Sequence, residues 1–170
     1  MLLKIISGGQ TGADQAALDA AIEMAIPHGG WIPKGRLTES GPLPEKYNLQ
    51  EMPTKDYLKR TKQNVHDSHG TVIFSHGELK GGSKRTGDFA TELCKPWLHI
   101  DLNKTLPSES AEVLAAWIKA HGIGVLNVAG SRASKDSLIY DRVKIVLGIA
   151  LEVLKGQEAW EGVPEGATLH

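Results

Sequence analysis

Cysteine is nearly missing from this chain. Among 170 residues only Cys94 carries a thiol, so neither an internal disulfide nor a cysteine-rich zinc site can form. Flanked by Leu93 and Lys95, Cys94 reads as a small buried residue rather than a nucleophile. Aromatic residues amount to 5%, which leaves alanine and the small aliphatics to fill the core that a single domain of this length can bury. Net charge is scarce too. The 19 Lys+Arg and 20 Asp+Glu leave a formal balance of −1, which gives no general attraction to DNA, RNA or an anionic membrane surface. No apolar run reaches the roughly 18 residues of a membrane span. The opening Met-Leu-Leu-Lys-Ile-Ile-Ser runs straight into a glycine turn and lacks the basic leader and small-residue cleavage site of a secretory signal. These absences predict a soluble cytoplasmic domain that serves neither a nucleic acid polymer nor a membrane.

Glycine is plentiful, with 19 residues spread along the chain beside 8 prolines. A β-rich run over 2–6 ends at Gly8-Gly9. Ala17, Leu18, Ala21, Ile22 and Ala25 then form one apolar helical stripe over 14–25, which Pro27 and Gly29-Gly30 stop. Trp31-Ile32 reads as the second strand. Residues 35–55, with Gly41-Pro42, Pro44 and Pro53, are the least regular part; a loop of that length is functional or ordered by a partner. Further helices are expected over 55–67, 86–95, 110–121 and 136–154, and strands over 71–75, 97–102 and 124–128. Alternating strands and helices predict an α/β fold: a doubly wound parallel sheet of about five strands with helices on both faces. One domain is expected over 1–155, with a C-terminal tail over 156–170 that holds Trp160 and Pro164. Ligands of such folds bind beyond the carboxyl ends of the strands, where the glycine turns are expected.

Ser7-Gly8-Gly9-Gln10-Thr11-Gly12-Ala13-Asp14 joins the first strand to the first helix. Its glycines let a ligand approach the backbone, and the helix start offers unpaired N–H groups to an anion. It is neither a P-loop nor a dinucleotide fingerprint, and Thr11 and Asp14 can also serve as helix caps. In Pro33-Lys34-Gly35-Arg36 two cations flank a glycine, either to clamp an oxyanion or as a solvated loop. Arg60, Thr61 and Asn64 share one helical face, suited to a phosphate or a heterocycle edge, or simply to water. The turn Leu79-Lys80-Gly81-Gly82-Ser83-Lys84-Arg85-Thr86 again brings glycines, a hydroxyl and cations to a helix start. Asn127-Val128-Ala129-Gly130-Ser131-Arg132-Ala133-Ser134 leaves the last strand; Gly130 permits the turn, Arg132 and Ser134 can close a site, and Ser134 or Ser137 can cap the last helix. His66, His69 and His76 lack the cysteine or acidic partners of a metal site. Lys34, Arg36, Arg60, Lys62, Lys80, Lys84, Arg85, Arg132 and Lys135 are nine of the 19 basic residues, and all fall in or beside these segments, so a small anionic ligand is compatible with the neutral balance.

Taken in order over most of residues 3–150, these segments resemble the molybdenum carrier family, relatives of the lonely-guy and DNA-processing Rossmann-like domains. The resemblance rests on Ile6 to Asp14, Gly30 to Arg36, Arg60 to Val65, Gly81-Gly82-Ser83 with Thr86, and Asn127 to Arg132. It implies a Rossmann-like domain that binds molybdopterin, the pterin-dithiolene molybdenum cofactor, or a related nucleotide. The phosphate would lie at Gly8 to Gly12 and Gly81 to Thr86, with Lys34, Arg36, Arg60 and Arg132 around the rest. The resemblance further implies a homo-oligomer, and a molybdoenzyme or cofactor-synthesis protein as partner. The phosphoribohydrolase relatives carry P-G-G-x-G-T-x-x-E. Here Lys80 replaces the proline, the third glycine is missing, and Phe89 stands where the glutamate belongs, which weakens cleavage chemistry that needs a carboxylate. Asp88 or Glu92 could substitute only with a shifted helix start. Asp14, Asp88 and Glu92 are therefore the candidate acids of an alternative hydrolase or N-glycosidase, and a nucleotide-sensing regulator is a third reading.

Overall fold

Parallel strands that are covered on both faces need apolar residues at nearly every position, and three runs of this chain supply them. The computed structural model describes residues 1–161. It runs β1 (Lys4–Ser7), α1 (Ala13–Glu23), β2 (His28–Gly29), β3 (Trp31–Ile32), β4 (Leu37–Thr38), β5 (Gly41–Pro42), β6 (Gln50–Glu51), α2 (Tyr57–Asp67), β7 (Gly70–Ser75), α3 (Gly81–Glu92), β8 (Trp97–Asp101), α4 (Pro107–Ala120), β9 (Val125–Gly130) and α5 (Ile139–Glu161). Five strands form one parallel sheet in the order β2-β1-β9-β7-β8. The register sets Ile5 beside Leu126 and Val72 beside Val128.

Side chains alternate across this sheet with a period of two. Ile5, Val72, Phe74, Leu126 and Val128 face one layer, where they meet the alanine stripe of α1 and the apolar faces of α4 and α5. Phe74 is the only aromatic among the buried residues of that core; the alanines let α1 come close and make bulk unnecessary. On the other side α2 and α3 pack together through Val65, Phe89 and Ala90. The α/β Rossmann-like architecture expected from the sequence is present. No helix among the described residues is long and apolar enough to cross a membrane.

Several boundaries differ from the sequence reading. Trp31-Ile32 is not in the main sheet; the edge strand is His28–Gly29, and β3 pairs with β6 instead. Gly30 causes the break. Its φ is +120°, and a Cβ there would lie 2.2 Å from the Ser7 carbonyl oxygen. Residues 35–55 are ordered by the chain itself, through the β4–β5 hairpin and a small core of Leu18, Ile32, Leu43, Tyr47 and Leu49. Helix α3 begins at Gly81 rather than Thr86, so its glycines form the first turn of the helix. Cys94 is exposed, with φ 53°, just past the end of α3; it is not the buried residue expected. Helix α5 continues through Glu161, taking in the start of the expected tail, and residues 162–170, Pro164 included, lie outside the described residues.

Candidate functional site

The carboxyl ends of β1, β7 and β9 open into a cavity of about 1250 Å³. The fold gathers thirteen of the nominated residues around it: Gly8, Gln10, Asp14, Arg60, Thr61, Asn64, Gly81, Gly82, Ser83, Thr86, Asn127, Gly130 and Arg132. Gly9, Thr11, Gly12, Lys34, Gly35 and Arg36 are not in its wall.

At the end of β1 the glycine makes room for a side chain of the protein. A Cβ on Gly8 would lie 1.3 Å from Arg60 Nη1. That nitrogen donates to Asp14 Oδ2 at 3.3 Å, and the Gln10 N–H donates to the same oxygen at 3.1 Å. Arg60 and Asp14 are 9% and 6% exposed. Burial pushes the Asp14 carboxyl above the usual range, while the Arg60 guanidinium and the Gln10 and Gly8 N–H groups pull it part of the way back. Gln10 Oε1 accepts from the Thr11 N–H at 3.0 Å and the Glu39 N–H at 2.9 Å. Gln10 Nε2 and Arg60 Nε, both buried, find no hydrogen-bond partner among the described residues. Each unmet buried donor costs about 1–3 kcal/mol.

At the end of β7 no side chain caps α3, and Gly81, Gly82 and Ser83 of its first turn line the cavity. Uncapped N–H groups at a helix start favour an anion. The threonines are used locally: Thr86 Oγ1 donates to the Gly82 carbonyl at 2.9 Å and Thr61 Oγ1 to the Tyr57 carbonyl at 2.8 Å. Asn64 is committed to the fold. Its Oδ1 accepts from the Trp31 N–H at 2.8 Å and its Nδ2 donates to the Trp31 carbonyl at 3.0 Å, which fixes β3 against α2. Asn127 Nδ2 donates to Thr71 Oγ1 at 3.2 Å.

The loop after β9 is tied to the first turn through Glu39, a residue with no signal in the sequence. Its carboxylate accepts from Thr11 Oγ1, from the Ser134 N–H at 3.1 Å and from Ser134 Oγ at 2.5 Å. Thr11 Oγ1 also accepts from the Ala133 N–H at 3.1 Å. Thr11 therefore joins two loops and does not cap α1, which has no side-chain cap. Gly12 sits beneath the same loop, where the Ala13 N–H donates to the Ser131 carbonyl. Burial alone would raise the Glu39 carboxyl; the Ser134 and Thr11 hydrogen bonds and Arg132 outweigh it and hold the group below its ordinary range. Arg132 Nη1 lies 3.9 Å from Glu39 Oε2. The Arg132 and Arg60 guanidinium carbons stand 5.9 and 5.7 Å from the Tyr57 ring centre.

Lys34, Gly35 and Arg36 lie outside this cavity and are engaged elsewhere. Lys34 is exposed, the Gly35 N–H donates to Glu51 Oε1 at 2.7 Å, and Arg36 donates to the carbonyls of Leu43, Pro44, Tyr47 and Leu49. Arg36 is a staple for the 43–49 segment. Gly9 lies against the core that Arg36 braces, since a Cβ there would meet Leu49, Ile32 and Leu43. Of the nine basic residues only Arg60, Lys80, Arg132 and Lys135 line the cavity. Lys62, Lys84 and Arg85 pair instead with Asp88 and Glu92, neither of which is in the cavity wall. The fold also brings in Tyr57, Ser75, His76, Glu78 and Asp136, which the sequence reading left out of the site. For His76 a signal did exist, because it directly follows a buried strand that ends at the cavity.

A crystal structure of a protein from Syntrophus aciditrophicus SB, named "Putative molybdenum carrier protein", is similar to this chain at 57% identity and a TM-score of 0.87, covering 88% of this chain and 95% of that one. No curated protein matches. The sequence model of the circularly permutated YpsA SLOG family matches residues 5–151, which is most of the chain, and the chain belongs to that family.

Proposed function

We propose that this chain binds a small phosphate-bearing cofactor built on a flat heterocycle, either molybdopterin-type molybdenum cofactor or a nucleotide, and acts as its carrier. The observation that carries the proposal is the cavity wall itself, where the cations Arg60, Lys80, Arg132 and Lys135 gather beside the uncapped start of α3. Uncapped helix N–H groups and clustered cations favour an anion such as phosphate. Four cations and three carboxylates line the same cavity, which leaves it positive in a chain of balance −1. Its volume exceeds the roughly 300–1,000 Å³ of common small-molecule sites, enough for a cofactor of nucleotide size.

The donors suit the phosphate and the heterocycle edge. Among the described residues no group of three or more His, Cys, Asp or Glu side chains is arranged to hold a metal, so molybdenum would stay on the cofactor's own sulfur ligands. Bound, the cofactor supplies that metal centre; Arg60, Lys80, Arg132, Lys135 and the first turn of α3 would hold its phosphate. The name of the Syntrophus protein supports this choice of ligand.

The test is calorimetric titration with AMP, GMP and inorganic phosphate, beside mass spectrometry and metal analysis of protein purified from cells that make the cofactor. Lys80→Ala and Arg132→Ala should each weaken binding about tenfold, the worth of one charged hydrogen bond, without lowering the melting temperature. Failure to bind any of these ligands, with no cofactor retained on purification, would overturn the proposal.

A further inference from the structure

We propose that His76, oriented by Asp136, is a general base in this cavity, and that the chain hydrolyses a phosphoanhydride held there, of the kind found in a nucleoside diphosphate. The inference rests on the binding proposal for where the phosphates lie. It adds a reaction that neither the family nor the similar structure names.

His76 follows β7 and Asp136 precedes α5, so the two meet across the cavity from loops sixty residues apart. The His76 Nδ1 to Asp136 Oδ2 distance is 2.6 Å, and the side chains are 21% and 15% exposed. Asp136 is itself held, since its Oδ1 accepts the Leu138 N–H at 3.1 Å. A carboxylate only accepts, so Nδ1 carries the proton, and in the neutral ring Nε2 is then a lone pair. Nε2 has no hydrogen-bond partner among the described residues. The backbone around His76 is fixed as well. Ser75 Oγ donates to the Gly77 carbonyl at 2.6 Å and accepts from His99 Nε2 at 2.7 Å, while the Gly77 N–H donates to Asp101 Oδ1 at 2.8 Å. An imidazole with its tautomer set by a carboxylate and its second nitrogen free is the arrangement of a general base.

The cavity supplies phosphate partners at two separate places. One is the end of β1, with Arg60; the other is the uncapped start of α3, with Lys80. Two such places suit two linked phosphoryl groups. In the reaction a water oxygen forms a bond to the terminal phosphorus, and Nε2 takes a proton from that water. The bridging P–O bond breaks, its electron pair leaves on the departing phosphoryl oxygen, and His76 later releases its proton to solvent. Nothing is oxidised or reduced. The departing phosphate is a stable anion and needs no proton, whereas an ester or a glycoside would need an acid on the far side. The other carboxylates of the cavity do not provide one: Asp14 is tied to Arg60 and Glu78 is exposed.

The test uses the full chain with ADP, GDP and inorganic pyrophosphate, with and without magnesium. Binding is followed by calorimetry and turnover by phosphate release. Wild type should release phosphate, and His76→Ala should be slower by about a hundredfold or more. Asp136→Asn should lower kcat with KM nearly unchanged, as expected for a positioning residue. His76→Gln, which keeps a donor toward Asp136, should lose turnover to the same extent at an unchanged melting temperature. Binding without phosphate release in the wild type, or equal release by His76→Ala, overturns the hydrolase inference and leaves the binding proposal standing. No binding of any of the three probes by the wild type also overturns the hydrolase inference, while the binding proposal stands or falls on its own titrations and cofactor analysis.

Discussion

Replacing Arg60 with methionine should show that this arginine supports the fold as well as facing the cavity. The guanidinium contacts Asp14 at 3.3 Å, and both side chains are nearly sealed from water. Methionine keeps the apolar stem and removes the charge, leaving a buried carboxylate with only backbone N–H partners. Breaking one side of such a pair costs about 3–5 kcal/mol. At ~2–4 °C per kcal/mol for a domain of this size, that is a fall of about 6–20 °C in melting temperature at neutral pH. The sign of the pH dependence follows from Asp14. Its folded value is raised above the ordinary 3.8. Below 3.8 the carboxyl is protonated in folded and unfolded chains alike, and its contribution to stability is complete. As pH rises from there through the raised folded value, the unfolded chain ionises first and stability is lost. Without Arg60 the folded value rises further, so the loss extends to higher pH. Thermal melts of wild type and Arg60→Met from pH 4 to 8 should therefore show a gap that is smallest near pH 4 and widens with pH. Titrations shared by the two proteins cancel in that difference. A gap independent of pH, or no gap at pH 7.5, would refute the account of Asp14 as a buried charge held by Arg60.

Arg36→Ala should cost about 2 kcal/mol, since the carbonyl acceptors of the 43–49 segment lose their charged donor, and should open that segment to limited proteolysis. Phosphate-ligand affinity should not change, because Arg36 lies outside the cavity wall; a selective loss of affinity would show that it reaches the ligand after all. Glu39→Gln should speed hydrogen exchange at the Ser134 amide, which donates to the Glu39 carboxylate, by roughly two- to tenfold, the worth of one ordinary hydrogen bond. Because the Glu39 carboxyl is held below its ordinary 4.5, its tie between the loops is complete above that value and lost as pH falls through the folded one. Wild type in acid should then exchange like the variant, and unchanged exchange in Glu39→Gln at neutral pH would count against the tie.

Local periodicity carried much of the fold. The alanine stripe of α1 and the apolar runs that became β7 and β9 are patterns within a dozen residues, and the glycine turns marked where strands end. Pairing is not local. Nothing near Trp31 says that it will meet Gln50, or that His28 will take the sheet edge; Gly30 decides that by pressing against Ser7, 23 residues earlier. The same divide runs through the candidate site. Arg36 and Asn64 read as strong donors, but their partners are backbone groups 7 to 33 residues away: carbonyls that accept from both, and the Trp31 N–H, which donates to Asn64. Donor type is legible in a sequence; the recipient is not. The roles of Glu39 and of the His76–Asp136 pair are hidden for the same reason, since their partners are distant in the chain.

The sheet order has a consequence for how the molecule is made. The last strand to be synthesised, β9, lies between β1 and β7, so the first half of the sheet cannot join the second until residue 130 has emerged. Until then a nascent chain holds two separate sheet fragments, each with an apolar edge waiting for the same strand. Late long-range closure of this kind slows folding and prolongs exposure to aggregation. A chain that stops before β9 is not a smaller version of this protein but two halves with nothing between them.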